Sequence, residues 1–200
     1  MPKGGNKQHT PDEQQATAAG SDDQLSKHGF DTPVFSLSEW EADVRVVDVY
    51  DADSVQVVVV FRGHPWKFNC RLQGLDACEL RTSCPELRAH ALRARDRLLS
   101  LLTTTSPDTW SGLSRAEVRS KLEETCCICH ACFGDFDKYG RVLVKLWKDV
   151  DVGGVLLQEG LAYAYDGGTK WSDAEKRARL LGHSDKEHKG EGNGGEINSP

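Results

Sequence analysis

An α+β fold built round a five-stranded barrel is what this chain of 200 residues predicts, on three observations. Five short stretches carry strand patterning, and one of them, Ser54 to Phe61, is a run of β-branched residues. One long stretch with apolar residues every three or four positions falls between the third and fourth of them. The first three are joined by short links that contain turn residues. Five short strands with a helix between the third and fourth suit a small Greek-key barrel of the OB type.

The elements follow in order. Residues 1–35 are rich in Gly, Gln, Asp, Thr and Ser and nearly lack large apolar groups, so a disordered tail is expected there, and another at 183–200. The folded domain then spans 36–182. "DVRVVDVY", Asp43 to Tyr50, is the first strand and "SVQVVVVF", Ser54 to Phe61, the second. "RGH", with Gly63, turns into the third, "PWKFNCRLQGL". "SCPE" opens a helix, with Ser83 as N-cap, Glu86 completing a capping box and Pro85 in the first turn. Leu87, Ala91, Ala94, Leu98 and Leu101 form its apolar stripe.

Residues 103–124 read as a loop and a short charged helix near Arg115 to Glu123. "CCICHACFG" and "RVLVKLW" are the fourth and fifth strands, joined by "DFDKYG". "VGGVLLQEG" is a short helix closed by Gly160. "SDAEKRARLLGH" is a last amphipathic helix, capped by the box Ser172/Glu175. The main order is three strands, a helix, two strands and two helices, so about three helices flank the barrel.

Net charge is −6, and both tails are acidic, so the middle is close to neutral. That balance argues against a broad basic face for duplex binding and leaves room for a small site with a few arginines on phosphate. No apolar run is long enough to span a membrane, and no secretory h-region is visible near the N-terminus. The seven cysteines are odd in number and read as reduced thiols, so an intracellular, cytoplasmic or nuclear home is expected. In "CCICHAC" strand alternation puts Cys127, Cys129 and Ala131 on one face, and spreads the thiols and His130 rather than folding them round one ion. Buried thiols are expected there. Trp66, Trp147 and Trp171 read as packing or rim residues before they read as base-stacking platforms.

The stretch "RLQGLDACE", Arg71 to Glu79, ends a strand with three charges. Charges beside a core are costly unless they are paired or bind something. One explanation is a structural ion pair of Arg71 with Asp76 or Glu79. The other is a site, and three further pieces favour it: "DADS" at 51–54, "DKYGR" at 137–141 and "LLQEGLAYAY" at 156–165. In this order and spacing the four pieces resemble the staphylococcal nuclease (thermonuclease) family, over about residues 42–182.

The resemblance implies a calcium-dependent phosphodiesterase. Asp53 and Asp76 would be carboxylate ligands of Ca2+, and Ala77 would add its backbone carbonyl. Glu79 would be the general base for water, and Arg71 and Arg141 the phosphate clamps. Lys138, Tyr139 and Tyr165 would touch the substrate. The implied substrates are DNA and RNA, single strands preferred, with little sequence preference and 3′-phosphate products. Segment 103–124 would be an insertion in the compact family form. Three positions depart from the family pattern: Ala52 and Ser54 in "DADS", where glycine and threonine are usual, and Cys78 in place of a proline. A positive φ at Ala52 would cost about 1 kcal/mol, and a chain without the proline would hold Glu79 less rigidly. The rival reading is a barrel of the same kind that binds nucleic acid and cuts weakly or not at all.

Overall fold

The computed structural model describes residues 21–182 in two units, which divide between Phe35 and Ser36. Residues 1–20 and 183–200, most of the two expected tails, lie outside the described residues. The first unit holds one helix, α1 at Ser21–Leu25.

The second unit is a closed barrel of mixed strands in the order β1-β2-β3-β6-β5. Its strands are β1 (Glu41–Asp51), β2 (Ser54–Phe61), β3 (His64–Leu72), β5 (Ile128–Phe136) and β6 (Val142–Trp147). β3 meets β6 in parallel, Cys70 opposite Val142, and that seam closes the barrel. Two three-residue strands, β4 (Leu75–Ala77) and β7 (Ala162–Ala164), pair separately beside it. Helices α2 (Pro85–Thr103), α3 (Arg115–Thr125), α4 (Val152–Gln158) and α5 (Asp173–Lys176) complete the unit.

The barrel interior follows from the sequence period. Alternate residues of β2, Val55, Val57 and Val59, are buried, as are Val142, Val144 and Leu146 of β6. On β5 the buried set is Cys129, Ala131 and Phe133, while Ile128 stays half exposed, so the thiols alternate as the sequence predicts. Burial pushes the Cys129 thiol up to about 12 and the Cys127 thiol up to about 11, so both stay protonated. Leu87, Ala91, Ala94 and Leu98 of α2 are fully buried and Leu101 packs against the core. The β2–β3 link is a two-residue hairpin turn with Arg62 at φ 50° and Gly63 at φ 81°, the left-handed pair that matches strand twist.

Five points differ from the sequence reading. α2 starts one residue later than expected: Cys84 is its N-cap, no side chain caps it, and Ser83 with Glu86 forms no capping box. Glu86 accepts instead from the Cys84 thiol at 2.9 Å. The last helix keeps its Ser172/Glu175 box but continues beyond Lys176 as a π-helix, Arg177–Leu181. The described residues hold five α-helices rather than about three, because α1 lies in the N-terminal tail region and α3 in segment 103–124. β4 and β7 are too short to show a period and were missed. β1 runs Glu41–Asp51 and is not a simple alternating strand. Its register with β2 shifts between Val46 and Asp48 and again between Val49 and Asp51. Such irregularities turn side chains to the other face, and they bury Asp48 and Asp51 among valines.

Candidate active site

The site lies at one end of the barrel, where β1 turns into β2, β3 ends, and β4 sits beside β7. The β1–β2 turn carries Ala52 and Asp53. Ala52 is not among the described residues of positive φ and its side chain is fully buried, so alanine here is unstrained. The Asp53 carbonyl accepts from Leu72 N–H at 2.8 Å, which ties the turn to the end of β3. Ser54 Oγ donates to Asp53 Oδ1 at 2.8 Å.

Arg71, the penultimate residue of β3, is 7% exposed and bridges two carboxylates. Its Nη1 stands 2.9 Å from Asp53 Oδ2, and its Nη2 donates to Asp76 Oδ1 at 2.5 Å. Asp76, in β4, is fully buried. It also accepts from the Tyr163 hydroxyl, and Lys170 Nζ lies 2.8 Å from Oδ1. Burial disfavours the ionised Asp76, but the bonds from Lys170, Tyr163 and Arg71 outweigh it and hold the carboxyl below its ordinary range. For Arg71 burial likewise opposes charge, and Asp53 and Asp76 overcome it, so its guanidinium is held even more firmly protonated than usual.

Asp51 is different. It is 8% exposed, its Oδ1 has no hydrogen-bond partner, and burial with the neighbouring Asp53 charge pushes its carboxyl up to about 8. It is thus a buried acid in want of positive charge, two residues before Asp53.

Arg141 faces the same cleft from the turn between β5 and β6. Its Nε donates to Asp137 Oδ2 at 2.8 Å and its Nη1 to Ser54 Oγ at 3.4 Å. Asp137 Oδ1 accepts from the amides of Tyr139 and Arg141, both at 2.9 Å, so this one carboxylate shapes the turn and aims the arginine. Burial opposes ionisation of Asp137, but the Arg141 amide and guanidinium win and hold the carboxyl low. Gly140 takes φ 76°, a left-handed conformation that favours glycine.

Glu79 sits past β4 on the cleft wall, its side chain 59% exposed and 3.5 Å from Lys170 Nζ. The preceding Cys78 is buried in a small cluster with Cys84, Leu87 and Ala91. Packing therefore anchors the chain before Glu79. Tyr165 lies under Arg71, whose guanidinium carbon is 5.4 Å from the ring centroid. Tyr139 is exposed, with Lys138 and Arg141 near its ring.

All of the sequence-predicted side chains except Asp76 and Ala77 line one open cleft of about 1560 Å³. Asp76 is reached from it through Arg71 and Lys170. Ala77 is buried in β4, opposite Ala162 of β7. The sequence reading missed Asp51, Asp137, Tyr163 and Lys170. Asp51, Asp137 and Tyr163 stand inside the four motifs, where the residue type is legible but not its partner; nothing local marks Lys170.

The chain matches no protein-family model, and no curated protein matches it.

A hard cation has partial accommodation here. Among the described residues no group of three or more His, Cys, Asp or Glu side chains stands close enough to hold a metal ion. Asp53 and Asp76 are instead bridged by Arg71. The orphaned Asp51 Oδ1 beside Asp53 is the donor chemistry calcium seeks, an oxygen without a partner. The residues fit a cation provided that Arg71 and Lys170 release the carboxylates to a competing anion.

Proposed function

We propose that this chain is a calcium-dependent phosphodiesterase that hydrolyses DNA and RNA, single strands best. The observation that carries the reading is one cleft lined by Asp51, Asp53, Glu79, Arg71 and Arg141 together, with a buried carboxylate oxygen unmatched. The resemblance to the staphylococcal nuclease family in "DADS", "RLQGLDACE" and "DKYGR" points the same way, and so does the closed five-stranded barrel, which we read as a Greek-key barrel of the OB type.

The residues divide the chemistry as follows. A phosphodiester entering the cleft offers Arg71 and Arg141 an anion with two oxygens in the geometry a guanidinium forks onto. With Arg71 turned to the phosphate and Lys170 released from Asp76, the carboxylates of Asp53, Asp76 and Asp51 and the Ala77 carbonyl would hold Ca2+. Bound there, the ion would supply Lewis-acid stabilisation of negative charge on the phosphoryl oxygens. Glu79, exposed to water, takes the proton from the attacking water. Arg71 and Arg141 oppose the charge that builds on the phosphoryl oxygens as water attacks phosphorus and the bond to the 5′ oxygen breaks, that oxygen leaving with a proton from solvent. Asp137 keeps Arg141 aimed, and Lys138 and Tyr139 line the approach.

A second reading, a nucleic-acid-binding module that does not cut, is favoured by one observation. Arg71 and Lys170 already satisfy Asp76. If they never release it, the acids do not gather round an ion. Cleavage of single-stranded DNA separates the two readings, measured with millimolar calcium, with EGTA and with Glu79→Gln. The nuclease reading expects calcium-dependent cleavage and a fall of about 10²–10⁴ in rate for the variant, the span of general-base catalysis. Binding without cleavage under any condition supports the module.

A further inference from the structure

We infer that the cleft carries a second nucleotide subsite, built by Tyr50, Arg81 and Arg115, which takes the base and phosphate of a nucleotide next to the one being cut. It rests on the nucleic-acid reading above and extends it.

The first argument is room. Clefts of about 300–1,000 Å³ suffice for a drug-sized ligand. This one reaches about 1560 Å³, more than a single nucleotide needs. The phosphate chemistry of Arg71, Arg141 and Glu79 accounts for one part of it. Tyr50, Arg81 and Arg115 line the same cleft and stand together, both guanidinium groups at the Tyr50 ring.

The second argument is chemistry. Tyr50, on β1, is half buried with its ring close to two guanidinium groups. The Arg115 guanidinium carbon is 4.9 Å from the ring centroid and that of Arg81 is 5.7 Å away. Among the described residues Arg81 has no carboxylate partner, and its side chain is exposed. Arg115 shares the buried Asp48 carboxylate with Arg119, its Nη2 at 2.5 Å and that of Arg119 at 2.6 Å. One carboxylate against two arginines leaves positive charge in excess, and Arg81 adds to it. An aromatic face between arginines is the surface on which a base stacks and its phosphate is neutralised.

The third argument is the scaffold. Arg115 is the first residue of α3, which lies within segment 103–124 and just beyond it, and that segment has no other role in the site. Its presentation is built rather than incidental. Ser114 and Glu117 form a full capping box at the start of α3, and Asp48 pins Arg115 from the barrel. Trp110, fully buried, anchors the preceding loop. The segment thus places one arginine in the lining of the cleft.

The experiment is fluorescence anisotropy with single-stranded DNA of two and eight nucleotides, in EGTA so that calcium-dependent cutting is absent. The wild-type chain is expected to bind the longer strand tighter by on the order of tenfold beyond statistics, one stacked base with its phosphate. Arg81→Gln with Arg115→Gln, and separately Tyr50→Leu, should collapse that ratio. The double arginine variant should also flatten the salt dependence for the longer strand by about 0.7 for each phosphate it no longer neutralises. Arg119→Gln loosens the same Asp48 pairing without lining the cleft, and should keep the ratio. An unchanged ratio in the first two variants, an equal loss in Arg119→Gln, or no preference for length in the wild type would each overturn the subsite. Length-dependent binding without calcium-dependent cleavage would sink the phosphodiesterase and leave the subsite standing. Cleavage with an unaltered ratio would sink the subsite alone. No binding of either strand would remove the subsite, and no cleavage in millimolar calcium besides would remove the phosphodiesterase.

Discussion

Arg71 and Asp76 are joined at 2.5 Å, both almost wholly buried, and the other arm of the same guanidinium holds Asp53 at 2.9 Å. One residue thus decides how two carboxylates of the site are spent. While Arg71 bridges them they are a structural ion pair; without it Asp53 loses its cation, and Asp76 keeps Lys170 and the Tyr163 hydroxyl.

Arg71→Gln should therefore destabilise the protein sharply. Removing one partner of a buried pair costs about 3–5 kcal/mol; here Asp53 is the charge left uncompensated, since Lys170 still pairs with Asp76. For a domain of this size each kcal/mol is about 2–4 °C in Tm. Millimolar calcium should restore part of the loss in the variant and little in the wild type. Thermal unfolding by circular dichroism, with calcium and with EGTA, reads both effects. A variant as stable as the wild type would show that the bridge contributes nothing.

Asp51→Asn should stabilise the calcium-free protein at neutral and higher pH. The folded carboxyl is raised to about 8 from 3.8, by burial first and the Asp53 charge second. Between those values the native state holds a proton that the unfolded chain has lost. Stability from this group is full below the unfolded value and drains away as pH rises through the folded one. Asparagine removes that slope and the cost of an unpartnered buried charge, about 1–3 kcal/mol. Unfolding curves at pH 5, 7 and 9 in EGTA test it; equal slopes for the two proteins would be the contrary result.

Asp48→Asn should loosen α3 and change acid sensitivity in the opposite sense. Burial opposes ionisation of Asp48, but the bonds from Arg115 and Arg119 prevail and hold its carboxyl low. Its stabilisation is present above the unfolded value near 3.8 and is lost as pH falls through the folded one. Both arginines are nearly half exposed, so solvent screening limits the effect to about 1 kcal/mol. Hydrogen exchange at neutral pH should quicken over Arg115–Thr125 more than in the barrel strands. Uniform protection in both proteins would mean that α3 is held by packing alone.

Asp137→Ala should lower catalytic turnover more than substrate affinity, because Asp137 aims Arg141 and does not itself reach the phosphate. A loss of about tenfold in kcat is expected, less than the 10²–10³ for removing a transition-state donor outright. Steady-state kinetics on a single-stranded oligonucleotide, beside Arg141→Gln, give the comparison. A larger loss in Asp137→Ala than in Arg141→Gln would contradict this positioning role.

Much of the barrel is legible in the sequence. The valines of β2 alternate, the stripe of α2 repeats every three or four residues, and "CCICHAC" alternates its thiols, because in each case one face is dry and the other wet. The capping boxes differ for a local reason. Ser172 and Glu175 meet across one free turn, whereas Cys84 gives its thiol to Glu86 and takes the cap position itself. Asp48 and Asp51 escaped notice because shifts in β1 register turn them inward against the period of two. Tyr163 and Lys170 escaped because nothing near them in sequence points to Asp76, about ninety residues away.

The chain by itself determined the five barrel strands and helices α2 to α5, since hydrophobic periodicity and turn residues act over a few positions. It also set down the acids and arginines of the site inside short motifs. Only the tertiary structure decided their pairing. Closing β3 against β6 and laying β4 along β7 brings Arg71 to Asp53 and Asp76, and Tyr163 and Lys170 to Asp76. It also leaves Asp51 without a counter-charge. Electrostatic partnership depends on distance and burial, and both exist only once the barrel has closed.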